Sequence, residues 1–230
     1  MAAVFDRRTL VGGAAALALT PAIGRAGAAA EVWTFDRLDR IGGHPAGMMG
    51  RPTLISSPYG RAVAFDGIDD ALFVADHPLA GAARFTFEAL FRPDGGVFEQ
   101  RWFHLEGDAR PGGNGGRILF EIRVVGAEWY LDAFIKGEGY SQVLIVPEKR
   151  FSVGRWYHVA QSYDGTTYRS YVDGALQAEA ATGFTPQTPG KASVGIRLNR
   201  IWPFRGAVAK AAFTRDRALA PSAFVLPVPR

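Results

Sequence analysis

Four Asp-Gly pairs punctuate this chain at Asp66-Gly67, Asp94-Gly95, Asp164-Gly165 and Asp173-Gly174, and each closes or opens a short apolar or alternating run. Asp and Gly tolerate the positive φ angles of tight turns whose twist matches the flanking strands. From Glu31 onward nothing keeps a helical period for more than two turns. Strands are expected at 61–65, 71–75, 85–91, 101–106, 117–125, 128–136, 141–146, 156–163, 168–172, 175–180, 192–197 and 206–213. About a dozen strands in one domain predict an all-β fold, two stacked antiparallel sheets forming a β-sandwich or jelly roll. No period of 20 to 50 residues repeats, which argues against a propeller or solenoid.

The first 30 residues read as an address. Arg7-Arg8 precede a weakly apolar run, Val11 to Ile23, and an Ala-rich end that includes Arg25. These are the parts of a secretory signal peptide, and the paired arginines resemble the twin-arginine class exported by the Tat machinery. The run is too short to span a bilayer, which needs about 20 apolar residues. The expected organisation is a signal peptide over 1–30 and one domain over 31–230, placed in the periplasm or outside the cell.

The charge balance supports no nucleic-acid partner. The 230 residues carry 26 Lys+Arg against 22 Asp+Glu, a formal +4. Without Arg7, Arg8, Arg25 and Asp6 the remainder holds 23 basic groups against 21 acidic, with no basic run. The absence of cysteine excludes a disulfide framework, a thiolate metal site and a cysteine nucleophile.

Four segments together resemble the laminin-G-like branch of the concanavalin A-like jelly rolls. They are Ala62-Val-Ala-Phe-Asp-Gly-Ile-Asp-Asp-Ala-Leu-Phe-Val74, Phe85-Thr-Phe-Glu-Ala-Leu-Phe-Arg-Pro-Asp94, Gly154-Arg-Trp-Tyr-His-Val-Ala-Gln-Ser-Tyr-Asp-Gly-Thr-Thr-Tyr-Arg-Ser-Tyr-Val-Asp-Gly174 and the closing stretch Phe204 to Ser222. The resemblance implies a jelly roll whose concave sheet is suited to sugars. It does not fix a function, since that fold hosts lectins, adhesion modules, glycosidases and lyases.

Strand alternation nominates the site. Trp102, His104 and Glu106 are expected on one strand face, with Phe103 and Leu105 on the core side. Glu121 and Arg123 alternate with Phe120, Ile122 and Val124, while Tyr130, Asp132 and Lys136 alternate with Trp129, Leu131 and Ile135. Aromatic faces stack on pyranose rings, and carboxylate and guanidinium take their hydroxyls in paired bonds. The bland alternative is the solvated face of an antiparallel sheet.

An enzyme is the first functional alternative, with Glu121, Tyr140 and His104 as candidate catalytic groups. The Glu-x-Asp-x-x-Glu run usual in the superfamily's glucanases is absent. Phe134-Ile-Lys-Gly-Glu-Gly-Tyr-Ser-Gln142 resembles a stretch of jelly-roll alginate lyases, which would make Tyr140 an acid/base. An extracellular protein-interaction module using Trp202 and the loop 107–116 is the second alternative. Asp66, Asp69 and Asp70 offer hard oxygens for calcium, although the resemblance leads to an acid in the closing strand where this chain has Ala209-Lys210. His44, His77 and His158 show no metal-ligand spacing. The chain therefore reads as an exported module that binds a polysaccharide or envelope glycan.

Overall fold

The computed structural model describes residues 29–109 and 115–229. Residues 1–28, which hold most of the segment expected over 1–30 as a twin-arginine signal peptide, and the centre of the glycine-rich loop, 110–114, lie outside the described residues. In chain order the strands are β1 (Glu31–Thr34), β2 (Arg40–Ile41), β3 (His44–Met49), β4 (Thr53–Ser57), β5 (Gly60–Asp66) and β6 (Ala71–Val74). Then come β7 (Phe85–Pro93), β8 (Glu99–Gly107), β9 (Arg117–Val125), β10 (Glu128–Gly137), β11 (Tyr140–Ile145) and β12 (Phe151–Ser152). The remainder are β13 (Tyr157–Tyr163), β14 (Thr167–Val172), β15 (Ala175–Ala181), β16 (Gly190–Val194) and β17 (Arg205–Arg215), followed by one 3-10 turn, Pro221–Ala223.

These strands form two antiparallel sheets. The first runs β15-β14-β13-β7-β17-β5-β4 with β1 added on β17, and the second runs β11-β10-β9-β8-β16-β6-β3-β2 with β12 added on β10. The Asp173-Gly174 pair makes the expected tight turn, with φ of 47° and 75° between β14 and β15. Strands β1 to β4 and β12 were not expected. His44-Pro-Ala-Gly-Met-Met49 has little strand propensity, and β3 forms because β6 offers it a ladder from Ala46 to Met49.

The core between the sheets is aromatic. Trp102 lies flat against Phe91 at 4.3 Å and 2° and against Phe120 at 5.3 Å and 9°. Buried Gln161 of β13 crosses the sandwich to donate to the Leu119 carbonyl at 3.1 Å and accepts from the Tyr168 hydroxyl, so this polar side chain is satisfied.

The two outer faces differ. The chain's own C-terminal segment covers that of the first sheet: Glu88 accepts from the Val225 and Leu226 backbone N–H groups at 3.0 and 2.9 Å. His158 Nε2 lies 3.0 Å from the same carboxylate, both side chains being fully buried. Leu226 packs there with Ala62, Leu90, Ala209 and Ala212. His158 is thus a structural residue. The outer face of the second sheet keeps an open depression over β8 to β11.

Candidate functional site

A β-bulge decides which side chains of β8 reach that depression. Arg101 pairs with Glu121 and Phe103 with Phe120, leaving Trp102 as the extra residue in the strand. Trp102 therefore turns inward beside Phe103, and Arg101, His104 and Glu106 turn outward. The expectation of Trp102 as a ligand-stacking residue is corrected: it is fully buried core. Uninterrupted alternation had hidden Arg101.

Alternation holds in β9 and β10, whose registers place Glu121 opposite Asp132 and Arg123 opposite Tyr130. Phe120, Ile122, Val124, Trp129, Leu131 and Ile135 all join the core. The outward residues line a groove of about 280 Å³, made by Arg101, Arg117, Leu119, Glu121, Arg123, Asp132, Phe134, Val143, Ile145 and Arg197. Phe134, Val143 and Ile145 form an apolar wall, and the charged side chains the floor and opposite side.

Five charges are knotted together at one end. Arg101 reaches Glu99 at 2.5 Å and Glu121 at 2.8 Å. Arg123 reaches Asp132 at 2.6 Å, and Glu99 and Glu121 at 3.4 Å each. The Arg101 guanidinium also stacks on the Trp202 ring at 5.2 Å, fixing the loop 195–204 against the groove. Arg200 and Trp202 hold left-handed φ angles of 62° and 63° in this loop, a conformation that non-glycine residues keep only where their surroundings impose it.

Burial, and next the neighbouring Glu121, raise the Asp132 pKa to about 6, against the opposing pull of Arg123 and Arg101. Its Oδ1 has no hydrogen-bond partner. Because the folded value exceeds the unfolded one near 4, the native state binds more protons between pH 4 and 6, and this group's contribution to stability falls as pH rises through that window. Asp132→Asn removes this slope. Urea unfolding of both proteins from pH 4.5 to 7 is expected to favour the variant progressively, by about 1–3 kcal/mol over the window. A constant difference between them would contradict a raised pKa.

His104, expected at the surface, is buried instead. Its Nδ1 accepts the Leu198 N–H at 3.1 Å, and Nε2 faces Glu106 at 3.4 Å. Burial, then Arg197 and Arg117, push its pKa well below the usual histidine value, so it is neutral. Its role is to anchor the loop 195–204. Glu106 is half-buried beside it, Tyr130 faces outward but is buried within the sheet surface, and Lys136 is exposed at the strand end opposite Arg117.

Tyr140 is corrected more fully. The β10–β11 register pairs Gly137 with Tyr140 and Ala133 with Leu144, which puts Tyr140 on the core side of the sheet. Its ring packs on Phe184 at 5.3 Å, and its hydroxyl meets the buried amide of Gln187 at 3.2 Å. It faces away from Arg123. Glu121, gripped by two arginines, His104 and Tyr140 consequently do not converge on one reaction centre.

Asp66, Asp69 and Asp70 each bring one oxygen within 4.8 Å of the others, a hard-donor set of the kind calcium takes. Yet Asp66 Oδ1 accepts from the backbone of Ile68 and Asp69 at 2.8 and 3.3 Å, while Asp70 accepts from Arg51 N and Asp66 N at 2.5 and 3.1 Å. These bonds of the Asp66 and Asp70 carboxylates tie the turn.

Arg117 and Arg197 were not singled out in the sequence. Arg117 sits at a strand start, and Arg197 belongs to a loop that long-range contacts bring to the groove.

A sandwich of two antiparallel sheets is the architecture of the jelly-roll class. The sequence pattern of the Concanavalin A-like lectin/glucanases superfamily matches residues 66–222, and the chain belongs to that superfamily. No curated protein sequence matches it. Its fold is similar to domain 4 of the extracellular arabinanase AbnA of Geobacillus stearothermophilus, solved in complex with arabinotriose, at 15% identity and TM-score 0.56, over 84% of this chain and 94% of that one. It is similar to the Trypanosoma rangeli sialidase at 12% identity and TM-score 0.55, over 83% of this chain but 31% of the sialidase. The binding domain of botulinum neurotoxin DC, in complex with SialylT, aligns at 12% identity and TM-score 0.53, over 84% and 49% of the two chains. No helix among the described residues is long and apolar enough to cross a membrane.

Proposed function

We propose that the chain is exported behind residues 1–30 and that its domain, 31–230, binds a polysaccharide or envelope glycan in the groove of the second sheet. The observation that carries this reading is the groove itself: guanidinium and carboxylate groups face an apolar wall of Phe134, Val143 and Ile145 on the outer face of the second sheet. A pyranose is similarly two-sided, with hydroxyls at its edge and C–H groups on its face. The solved neighbours holding arabinotriose and SialylT add support at the level of fold.

A panel of neutral and acidic oligosaccharides separates binding from cleavage. The full-length protein is expected to retain at least one glycan on affinity electrophoresis without releasing reducing ends or unsaturated products. Phe134→Ala is expected to weaken retention about fivefold through loss of an aromatic face, and Tyr140→Phe to leave it unchanged. Product formation abolished by Tyr140→Phe would establish the lyase alternative instead, and product formation abolished by Glu121→Gln the hydrolase.

A further inference from the structure

The groove's four arginines divide into two kinds. Arg101 and Arg123 are committed to Glu99, Glu121 and Asp132. Among the described residues, neither the Arg117 nor the Arg197 guanidinium makes a hydrogen bond or an ion pair. Arg117 lies over the Phe134 ring at 5.5 Å, which leaves its charge unneutralised. The Arg197 Nε is buried and has no partner.

Among the described residues the nearby acid makes no ion pair with either of them. Glu106 stands directly opposite Arg117 in the ladder, but its carboxylate is turned to His104 at 3.4 Å. On the other side Arg117 faces Lys136, a further cation. His104 below is neutral. Burial first, and then Arg117 and Arg101, lower the pKa of Arg197, with Glu106 and Glu121 offsetting part of that shift, and both arginines line the same groove.

The placement of both arginines is built into the fold. The Arg197 backbone is held on both sides: Ser193 Oγ donates to the Ile196 carbonyl at 2.7 Å, and the Leu198 N–H donates to His104 Nδ1 at 3.1 Å. Arg117 starts the central strand β9 and lines the same groove. Two guanidinium groups lining one groove with no ion pair of their own are stabilised by an anion that takes charge-assisted, paired N–H bonds from them.

We infer that Arg117 and Arg197 form an anion subsite, which selects glycans carrying a carboxylate or sulfate group. The inference rests on reading the groove as a glycan site and names the class of glycan. The knotted end, with Asp132 and Glu121, then receives the hydroxyls of an adjoining residue.

The test is a calorimetric titration of the full-length protein with three probes of matched length: a neutral oligosaccharide, an oligogalacturonate and a sulfated oligosaccharide. Wild type, Arg117→Gln, Arg197→Gln, Arg197→Lys and the charge-matched control Arg61→Gln are compared, with melting curves to establish folding. One acidic probe is expected to bind at least about tenfold tighter than the neutral one, and either Gln substitution to cut that affinity about tenfold, with Arg197→Lys intermediate. The control should leave it unchanged, and neutral binding should move less than about twofold in any variant. Whether the oligogalacturonate or the sulfated probe binds identifies the anion. Equal binding of neutral and acidic probes, or acidic binding indifferent to both arginines, would overturn the subsite while leaving the groove reading intact. Failure of every probe to bind would instead remove the glycan reading, and the subsite with it.

Discussion

Replacing Trp102 by alanine is expected to lower the free energy of unfolding by about 3–5 kcal/mol in urea denaturation. The indole fills the space between Phe91 and Phe120 in near-parallel stacks and is fully buried. Alanine leaves a cavity that surrounding strands can close only in part, because a packed interior relaxes little. The same substitution separates two roles for this residue. A ligand-stacking Trp102 would lose binding with little change in stability, and Trp102→Phe would also bind poorly. A core Trp102 makes Trp102→Phe a partial repair: its Nε1 has no partner to lose, so the smaller ring should cost about 1–2 kcal/mol with glycan affinity preserved. A fall below 1 kcal/mol for Trp102→Ala would contradict the inward placement that the β8 bulge imposes.

Glu88→Ala should be comparably damaging, at about 3–5 kcal/mol, by a different mechanism. One buried carboxylate joins three groups: His158 Nε2 on the neighbouring strand β13 and the backbone N–H groups of Val225 and Leu226. Its removal leaves all three donors unpaired, those of His158 and Leu226 at buried positions, and buried unpaired polar groups are costly. It also frees the segment carrying Leu226 from the outer face of the first sheet, where Phe224 packs on His158 at 5.0 Å. Faster proteolysis after about residue 216 should accompany the loss. Glu88→Gln keeps the shape and one acceptor, so it should fall between. A Glu88→Ala protein with an unchanged melting temperature would show that the C-terminal segment is held by apolar contact alone.

Much of the frame was legible because local rules agreed. The Asp173-Gly174 turn and the alternation of β9 and β10 each follow from residues close in sequence, and together they put Glu121, Arg123 and Asp132 on one surface. What escaped was non-local. The bulge at Trp102 exchanges Trp102 for Arg101 on the outer face, and no local pattern marks it, because either residue can end an alternating run. Arg197 reaches the groove through the anchoring of its loop by His104, a contact 94 residues apart in sequence. Tyr140 follows the register of a hairpin whose turn sets its face, so a nine-residue likeness to a lyase stretch could not place it. Strand β3 owes its form to its partner strand rather than to its own composition.

Where a glycan touches the protein is the most direct test of the groove. Backbone amide shifts, followed while the tightest-binding oligosaccharide of the panel is added, measure this without assuming any residue's role. Shifts should concentrate at Arg117, Leu119, Asp132, Phe134, Val143 and Arg197, with Thr86, Glu88, Ser162 and Tyr171 on the covered sheet unmoved. Shifts confined instead to the rim around Ile68 and Val97, or spread over the covered sheet, would contradict a binding groove on the open face.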